Sequence, residues 1–173
     1  MKKGIIVGAK AGVGKSYLGK KYDNVLDLES TYFKWNTEGL EGLSEEERKG
    51  VKTRTLNPEW PQNYIDEIVK QRENYDIILT QLPHERLKNK EIADYFFEHN
   101  IEFYVAMPTE SALETILERL RERGNGEDFV NEVRNNFPSF VEEFSKGKYK
   151  KIDINDDEYL EDALVRAGLL EKK

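Results

Sequence analysis

Short unbroken apolar runs alternate along this chain with longer stretches that place an apolar residue every three or four positions. Gly4-Ile5-Ile6-Val7 is a continuous run of the kind carried by a strand buried on both faces. Val25-Leu26-Asp27-Leu28, Asp76-Ile77-Ile78-Leu79-Thr80 and Ile101-Glu102-Phe103-Tyr104-Val105-Ala106 repeat the theme, and Lys151-Ile152-Asp153-Ile154 is a weaker fifth. Ser16 to Lys21 predicts a short helix after the first run. Leu113, Ile116, Leu117 and Leu120 share one face of a longer helix, with Ser111 and Glu114 at capping-box spacing and Gly124 as a stop. Strands alternating with helices predict an α/β fold. Its sheet is mainly parallel, of about five strands, with right-handed crossovers and helices on both faces.

One interval breaks the rhythm. Residues 29–75 are too many for a single crossover helix. They hold a short charged helix from Ser44 to Lys49, with Ser44 and Glu47 spaced as a second capping box. The turn-forming Asn57-Pro58-Glu59-Trp60-Pro61 follows, then an amphipathic helix carrying Tyr64, Ile65, Ile68 and Val69. A long insert at one place in an α/β unit is often a substrate lid; ordinary helical decoration explains its composition as well. No repeat or low-complexity linker divides the chain, so one domain over 1–173 is expected.

Composition narrows the chemistry. There is no cysteine, which excludes disulfides, thiolate metal sites, iron–sulfur clusters and a Cys nucleophile. The apolar run after Met1-Lys2-Lys3 is too short for a secretory leader, and no stretch reaches the roughly 18 apolar residues of a membrane span. A cytoplasmic protein with no membrane partner is the expectation. Lys plus Arg number 27 against 34 Asp plus Glu, a net charge of −7. That balance disfavours binding to a nucleic-acid duplex, which wants a basic face. It leaves room for a small anion in a locally basic pocket.

Such a pocket is written after the first strand, in Gly8-Ala9-Lys10-Ala11-Gly12-Val13-Gly14-Lys15-Ser16. The end of the Walker A pattern G-x-x-x-x-G-K-[ST] is intact in Gly14-Lys15-Ser16. Gly12 and Gly14 let the backbone curl so that successive N–H groups point at phosphate oxygens. The following helix adds the positive end of its dipole. The expected contacts to ATP come from Ala11, Gly12, Val13, Gly14, Lys15, Ser16 and Tyr17. Lys15 reaches the β- and γ-phosphates, and Ser16 offers a hydroxyl to Mg²⁺. The first glycine of the pattern is replaced by Ala9, which fits there only if its φ is negative.

With this loop the chain resembles the P-loop kinases of nucleosides and nucleoside monophosphates, and among them small phage or prophage ATP-binding proteins. The likeness extends through Val25-Leu26-Asp27-Leu28-Glu29-Ser30-Thr31-Tyr32-Phe33-Lys34-Trp35 and Asn57-Pro58-Glu59-Trp60-Pro61-Gln62-Asn63-Tyr64, and fades toward the C-terminus. It implies a three-layer P-loop NTPase-type sheet with ATP and Mg²⁺ as cofactors. It also implies a small nucleotide or nucleoside acceptor, held between the 29–75 insert and an arginine-bearing lid.

Asp27 and Glu29 stand two apart at the end of the second strand, the edge where open α/β sheets bind ligands. Either could complete Mg²⁺ ligation, Asp27 foremost, or take a proton from an acceptor hydroxyl. Either could equally cap a helix with Ser30 and Thr31. No Walker B aspartate ends the third strand, which reads Leu79-Thr80-Gln81-Leu82-Pro83-His84; Thr80 or Gln81 could orient a metal-bound water. Arg119, Arg121 and Arg123, followed by Gly124-Asn125-Gly126, resemble a kinase lid over 119–128. Cations there would stabilise the transferring phosphoryl group. Exposed pairing with Glu118, Glu122 and Glu127 is the plain alternative. Arg134, and Arg48 and Arg54 of the insert, are further candidate cations. Tyr32, Phe33, Trp35, Trp60 and Tyr64 could stack a base or belong to the core. Two readings follow: an ATP-dependent phosphotransferase of the nucleoside monophosphate kinase kind, or an ATP-binding regulatory protein with little catalysis. Acceptor identity and oligomeric state stay open.

Overall fold

A parallel strand needs apolar side chains at consecutive positions, because both of its faces are covered. The computed structural model describes residues 3–10, 12–36, 42, 44, 47, 55–82, 90–145 and 149–173. Among these, five strands form one all-parallel sheet: β1 Ile5–Ala9, β2 Val25–Asp27, β3 Ile77–Thr80, β4 Phe103–Pro108 and β5 Lys150–Ile154. Their order is β2-β3-β1-β4-β5, so the strand that leads into the glycine-rich loop is central. The helices are α1 Lys15–Lys21, α2 Thr31–Lys34, α3 Gln62–Gln71, α4 Lys90–Glu98, α5 Leu113–Glu122, α6 Glu127–Ser145 and α7 Leu160–Arg166.

Alternate residues of β1 to β4 serve two separate cores, which makes the three layers. On one face Val7, Ala9, Val25, Ile77, Leu79 and Ile152 pack against Leu18 of α1 and Leu160, Ala163 and Leu164 of α7. On the other, Ile6, Ile78, Phe103, Val105 and Met107 meet α3, α4 and α6 through Tyr64, Ile65, Ile68, Ile92, Phe96, Phe137 and Phe144. At about 25 cal/mol per Å² of buried apolar surface, each large side chain buried this way contributes roughly 1.5–3 kcal/mol. The edge strand β5 is buried only at Ile152 and Ile154, which explains its weaker apolar pattern.

Within the 29–75 segment, α2 follows β2 directly, Trp35 bridges Leu56, and α3 lays Tyr64, Ile65 and Ile68 into the second core. Most of the Ser44–Lys49 helix lies outside the described residues, although Ser44 Oγ does accept the Glu47 N–H at 3.2 Å. The Ser111–Glu114 capping box does not form. Ser111 sits in a 3₁₀ turn, Glu110–Ala112, and donates to Asp156 Oδ1 at 2.6 Å, so α5 starts at Leu113 without a side-chain cap. The helix stop is as written: Gly124 takes φ +96° and Asn125 N–H returns to Leu120 O at 3.0 Å.

Candidate functional site

β1 delivers the glycine-rich loop at the middle of the sheet's C-terminal edge. Ala9 is the last strand residue, paired with Ala106 of β4, and its backbone is outside the left-handed region. Alanine is therefore compatible with the place where the pattern writes glycine. The left-handed positions are Gly12 (φ +87°) and Gly14 (φ +106°). A Cβ on Gly12 would come within 3.0 Å of Leu120 Cδ2, so α5 closes one side of the loop. The start of α7 closes the other: Leu160 N–H donates to Val13 O at 2.9 Å, and a Cβ on Gly14 would lie 3.5 Å from the Tyr159 ring. Lys15 folds back over the loop, its Nζ donating to Ala9 O at 2.8 Å. Tyr17 is exposed in the first turn of α1, and Ala11 lies outside the described residues.

Ser16 and Asp27 are brought together, with Ser16 Oγ donating to Asp27 Oδ2 at 3.1 Å. The contact exists because α1 lies close on β2 at Gly19, where a Cβ would sit 3.0 Å from Asp27 Cβ. A hydroxyl beside a carboxylate is a hard-oxygen set suited to Mg²⁺, which takes one or two protein oxygens and completes its shell with phosphate and water. No group of three His, Cys, Asp or Glu able to hold a metal occurs among the described residues. Ser16, Asp27, Glu29 and Arg123 line one cleft of about 690 Å³.

Glu29 lies past the end of β2 and is used locally. Its Oε1 accepts from Thr31 Oγ1 at 2.7 Å and Thr31 N–H at 3.3 Å, at the start of α2. Between the ends of β2 and β3, Tyr64 donates its phenol to Leu28 O at 2.6 Å and receives the Gln81 N–H at 3.4 Å. Burial raises the Tyr64 phenol far above its ordinary value, with the nearby charges of Glu29 and Asp27 adding to the effect. Ser30 Oγ donates to Gln81 Oε1, and Thr80 Oγ1 to Gln81 O at 3.1 Å. Gln81 thus turns its ligating oxygen to Ser30. His84 and Pro83 fall outside the described residues.

The three arginines part company. Arg119 donates to Glu158 O at 3.0 Å and lies 3.6 Å over the Tyr159 ring, against the loop. Arg123 donates to Asn125 Oδ1 at 3.0 Å and borders the Ser16–Asp27 cleft. Arg121 is held by Glu127 at 2.8 Å and Glu118 at 3.1 Å, pairings that raise it above its ordinary value. Arg134 meets Glu114 at 3.5 Å; Arg48 and Arg54 are outside the described residues. Segment 119–128 comprises the end of α5, a short connection through Gly124 and Gly126, and the first turn of α6.

Of the candidate base-stacking aromatics, Trp60 and Tyr64 are core, their rings stacked at 5.3 Å, and Phe33 leans on Tyr64 at 5.4 Å. Tyr32 is exposed. Sequence reading missed Gly19, a plain helix residue on paper. It also missed Tyr159, which only the return of the chain after β5 brings to the loop.

No family model matches this sequence, and no curated protein matches it. Solved structures that share its fold include the following two. A gluconokinase from Sinorhizobium meliloti 1021 superposes with a TM-score of 0.53 at 14% identity, over 97% of this chain and 91% of its own. A tunicamycin resistance protein from Deinococcus radiodurans superposes with a TM-score of 0.54 at 17% identity, over 98% of both chains. The three-layer P-loop-type α/β fold is therefore shared along nearly the whole chain.

Proposed function

We propose that this chain is an ATP-dependent phosphotransferase acting on a small-molecule acceptor, of the nucleoside monophosphate kinase kind. One observation carries the reading: Ser16 Oγ stands 3.1 Å from Asp27 Oδ2 beside a loop whose glycines are left-handed at Gly12 and Gly14. Amides of residues 11–17 and the Lys15 ammonium hold the triphosphate, Lys15 exchanging Ala9 O for a phosphate oxygen. Ser16 and Asp27 would hold Mg²⁺, which would supply charge neutralisation to the phosphates. Arg123 faces the transferring phosphoryl group, and Arg119 with Tyr159 flanks the nucleoside end of ATP. Arg121, spent on Glu118 and Glu127, supports the helix and not the reaction. In the transfer, the β–γ bridging P–O bond breaks, an acceptor oxygen forms the new P–O bond, and ADP leaves. Any proton on that oxygen passes to solvent or to a carboxylate of the cleft. The 29–75 segment is the acceptor side of this site within one domain, and 119–128 its lid. The kinship with small phage ATP-binding proteins belongs to the same proposal. The fold shared with a gluconokinase is compatible with a hydroxyl-bearing acceptor.

A second reading, an ATP-binding regulatory protein, is favoured by β3 ending in Thr80, followed by Gln81, where a carboxylate would strengthen metal binding. A panel of nucleosides, nucleotides and sugar acids, assayed for ADP formation with ATP and Mg²⁺, separates the two. Transfer to some acceptor at least ten times above basal hydrolysis is expected. Tight ATP binding without transfer to any member would overturn the phosphotransferase reading. Lys15→Ala is expected to abolish nucleotide binding or turnover.

A further inference from the structure

The phosphate loop carries a second lysine that no step above employs. Lys10 follows the last residue of β1, and its Nζ lies 3.5 Å from the centroid of the Phe140 ring. Phe140 is on α6 and packs with the core that holds Trp60, Tyr64, Phe137 and Phe144. Lys15 opens α1, whose Leu18 belongs to the core on the opposite face of the sheet. The Lys15 ammonium lies across the loop itself, against Ala9 O, whereas Lys10 lies on the α6 side, over the core that α3 also packs into.

An ammonium half-buried on an aromatic face recovers less from the ring than it loses by leaving water. Burial accordingly pulls Lys10 down to about 7, while the charge of Glu132, also on α6, pulls the other way. Among the described residues Glu132 is the charged group that bears on it. The deficit is of one kind: an anion arriving beside Lys10 would remove it, and a neutral hydroxyl would not.

We propose that Lys10 is an acceptor-binding residue whose ammonium pairs with an anionic group, phosphate or carboxylate, on the molecule that receives the phosphoryl group. This rests on the phosphotransferase reading and narrows its substrate class to anionic small molecules, a nucleoside monophosphate or sugar acid in place of a nucleoside or neutral sugar. Binding such an anion restores the lysine's affinity for its proton, so the complex takes up a proton near pH 7.5.

The test is calorimetric titration of the full chain, with and without Mg²⁺ and a non-hydrolysable ATP analogue. Matched pairs serve as probes: AMP and adenosine, CMP and cytidine, GMP and guanosine, dTMP and thymidine, gluconate and glucose. At least one anion is expected to bind ten times more tightly than its neutral partner. The phosphate and carboxylate arms distinguish the two sources of charge. Lys10→Met should remove that margin and Lys10→Arg should keep it. Comparing buffers of different ionisation enthalpy should show proton uptake in the parent protein and none in Lys10→Arg. Equal binding of neutral partners, a margin that survives Lys10→Met, or no anion binding at all would overturn the proposal. A margin without any phosphoryl transfer would instead sink the phosphotransferase reading and leave Lys10 as an anion site. Transfer to a neutral acceptor, untouched by Lys10→Met, would do the reverse.

Discussion

Two acidic residues near the end of β2 are engaged in different ways. Asp27 meets Ser16 at 3.1 Å, while Glu29 is bound to the hydroxyl and amide of Thr31. If the site works as proposed, Asp27→Asn removes a charge that holds Mg²⁺, and kcat should fall by about 10²–10³-fold, the range for losing one preorganised electrostatic group. Its Mg²⁺ midpoint should rise as well. Glu29→Gln should cost less than about 10-fold in kcat and mainly weaken the start of α2, by roughly 1 kcal/mol. Magnesium titrations of turnover in the two variants check this, and the opposite ranking would reassign the metal ligand. The sequence placed both residues at the ligand-binding edge, and Ser16 in the loop. It could not divide the labour, because β2 stops at Asp27 and the next residues turn into a helix that claims Glu29. The arginines were legible to a similar depth. Their spacing separates Arg121 from Arg119 and Arg123, but only the returning chain gives Arg119 the Tyr159 ring.

At the scale of elements, how closely α1 approaches β2 is what makes the Ser16–Asp27 contact. A helix-interior glycine normally costs about 1 kcal/mol relative to alanine, so Gly19→Ala should stabilise an unconstrained helix. Here the added Cβ would stand 3.0 Å from Asp27 Cβ and 3.3 Å from Asp27 N, and backbone cannot yield as a flexible side chain does. The clash should outweigh propensity. Gly19→Ala is expected to lose roughly 1–2 kcal/mol net, lower Tm by a few degrees and raise the Mg²⁺ midpoint. Gly126→Ala, where a Cβ meets nothing within 4 Å, should leave Tm unchanged or higher. Thermal melts of both, with a magnesium titration of Gly19→Ala, decide it; a stabilised Gly19→Ala would show that the approach is loose. Strands and most helices were legible because buried parallel strands must be apolar at consecutive positions. The misread start of α5 has a long-range cause. Ser111 gives its hydroxyl to Asp156, 45 residues away, and no local pattern of three records that competitor.

Across the whole molecule, a net charge of −7 coexists with Lys10, Lys15 and Arg119 at the C-terminal edge of the sheet, around the glycine-rich loop. The last helix fixes that edge. Leu160 bonds Val13, Tyr159 lies on Gly14, and Glu161 accepts from Lys21 Nζ at 2.7 Å and Tyr22 Oη at 2.9 Å. Lys173 N–H adds a bond to Tyr22 Oη at 3.0 Å. The glycine-rich loop and α1 are thus clamped by residues some 140 positions later, which no local reading of the sequence contains. Glu161 is 7% exposed, and the Lys21 hydrogen bond holds its carboxyl below the ordinary 4.5. A carboxyl whose pKa falls on folding adds stability above its unfolded value, and that stability is lost as pH drops through the folded one. Glu161→Gln keeps the shape and removes the charge. At pH 7 it should lower Tm by about 2–4 °C, corresponding to roughly 1 kcal/mol in a chain of this size. The gap between parent and variant should narrow below pH 4.5 and vanish once Glu161 is protonated. Melting curves from pH 3 to pH 8 test this directly. A gap that stays constant across that range would mean that Glu161 packs as a neutral side chain and that its charge is not part of the clamp.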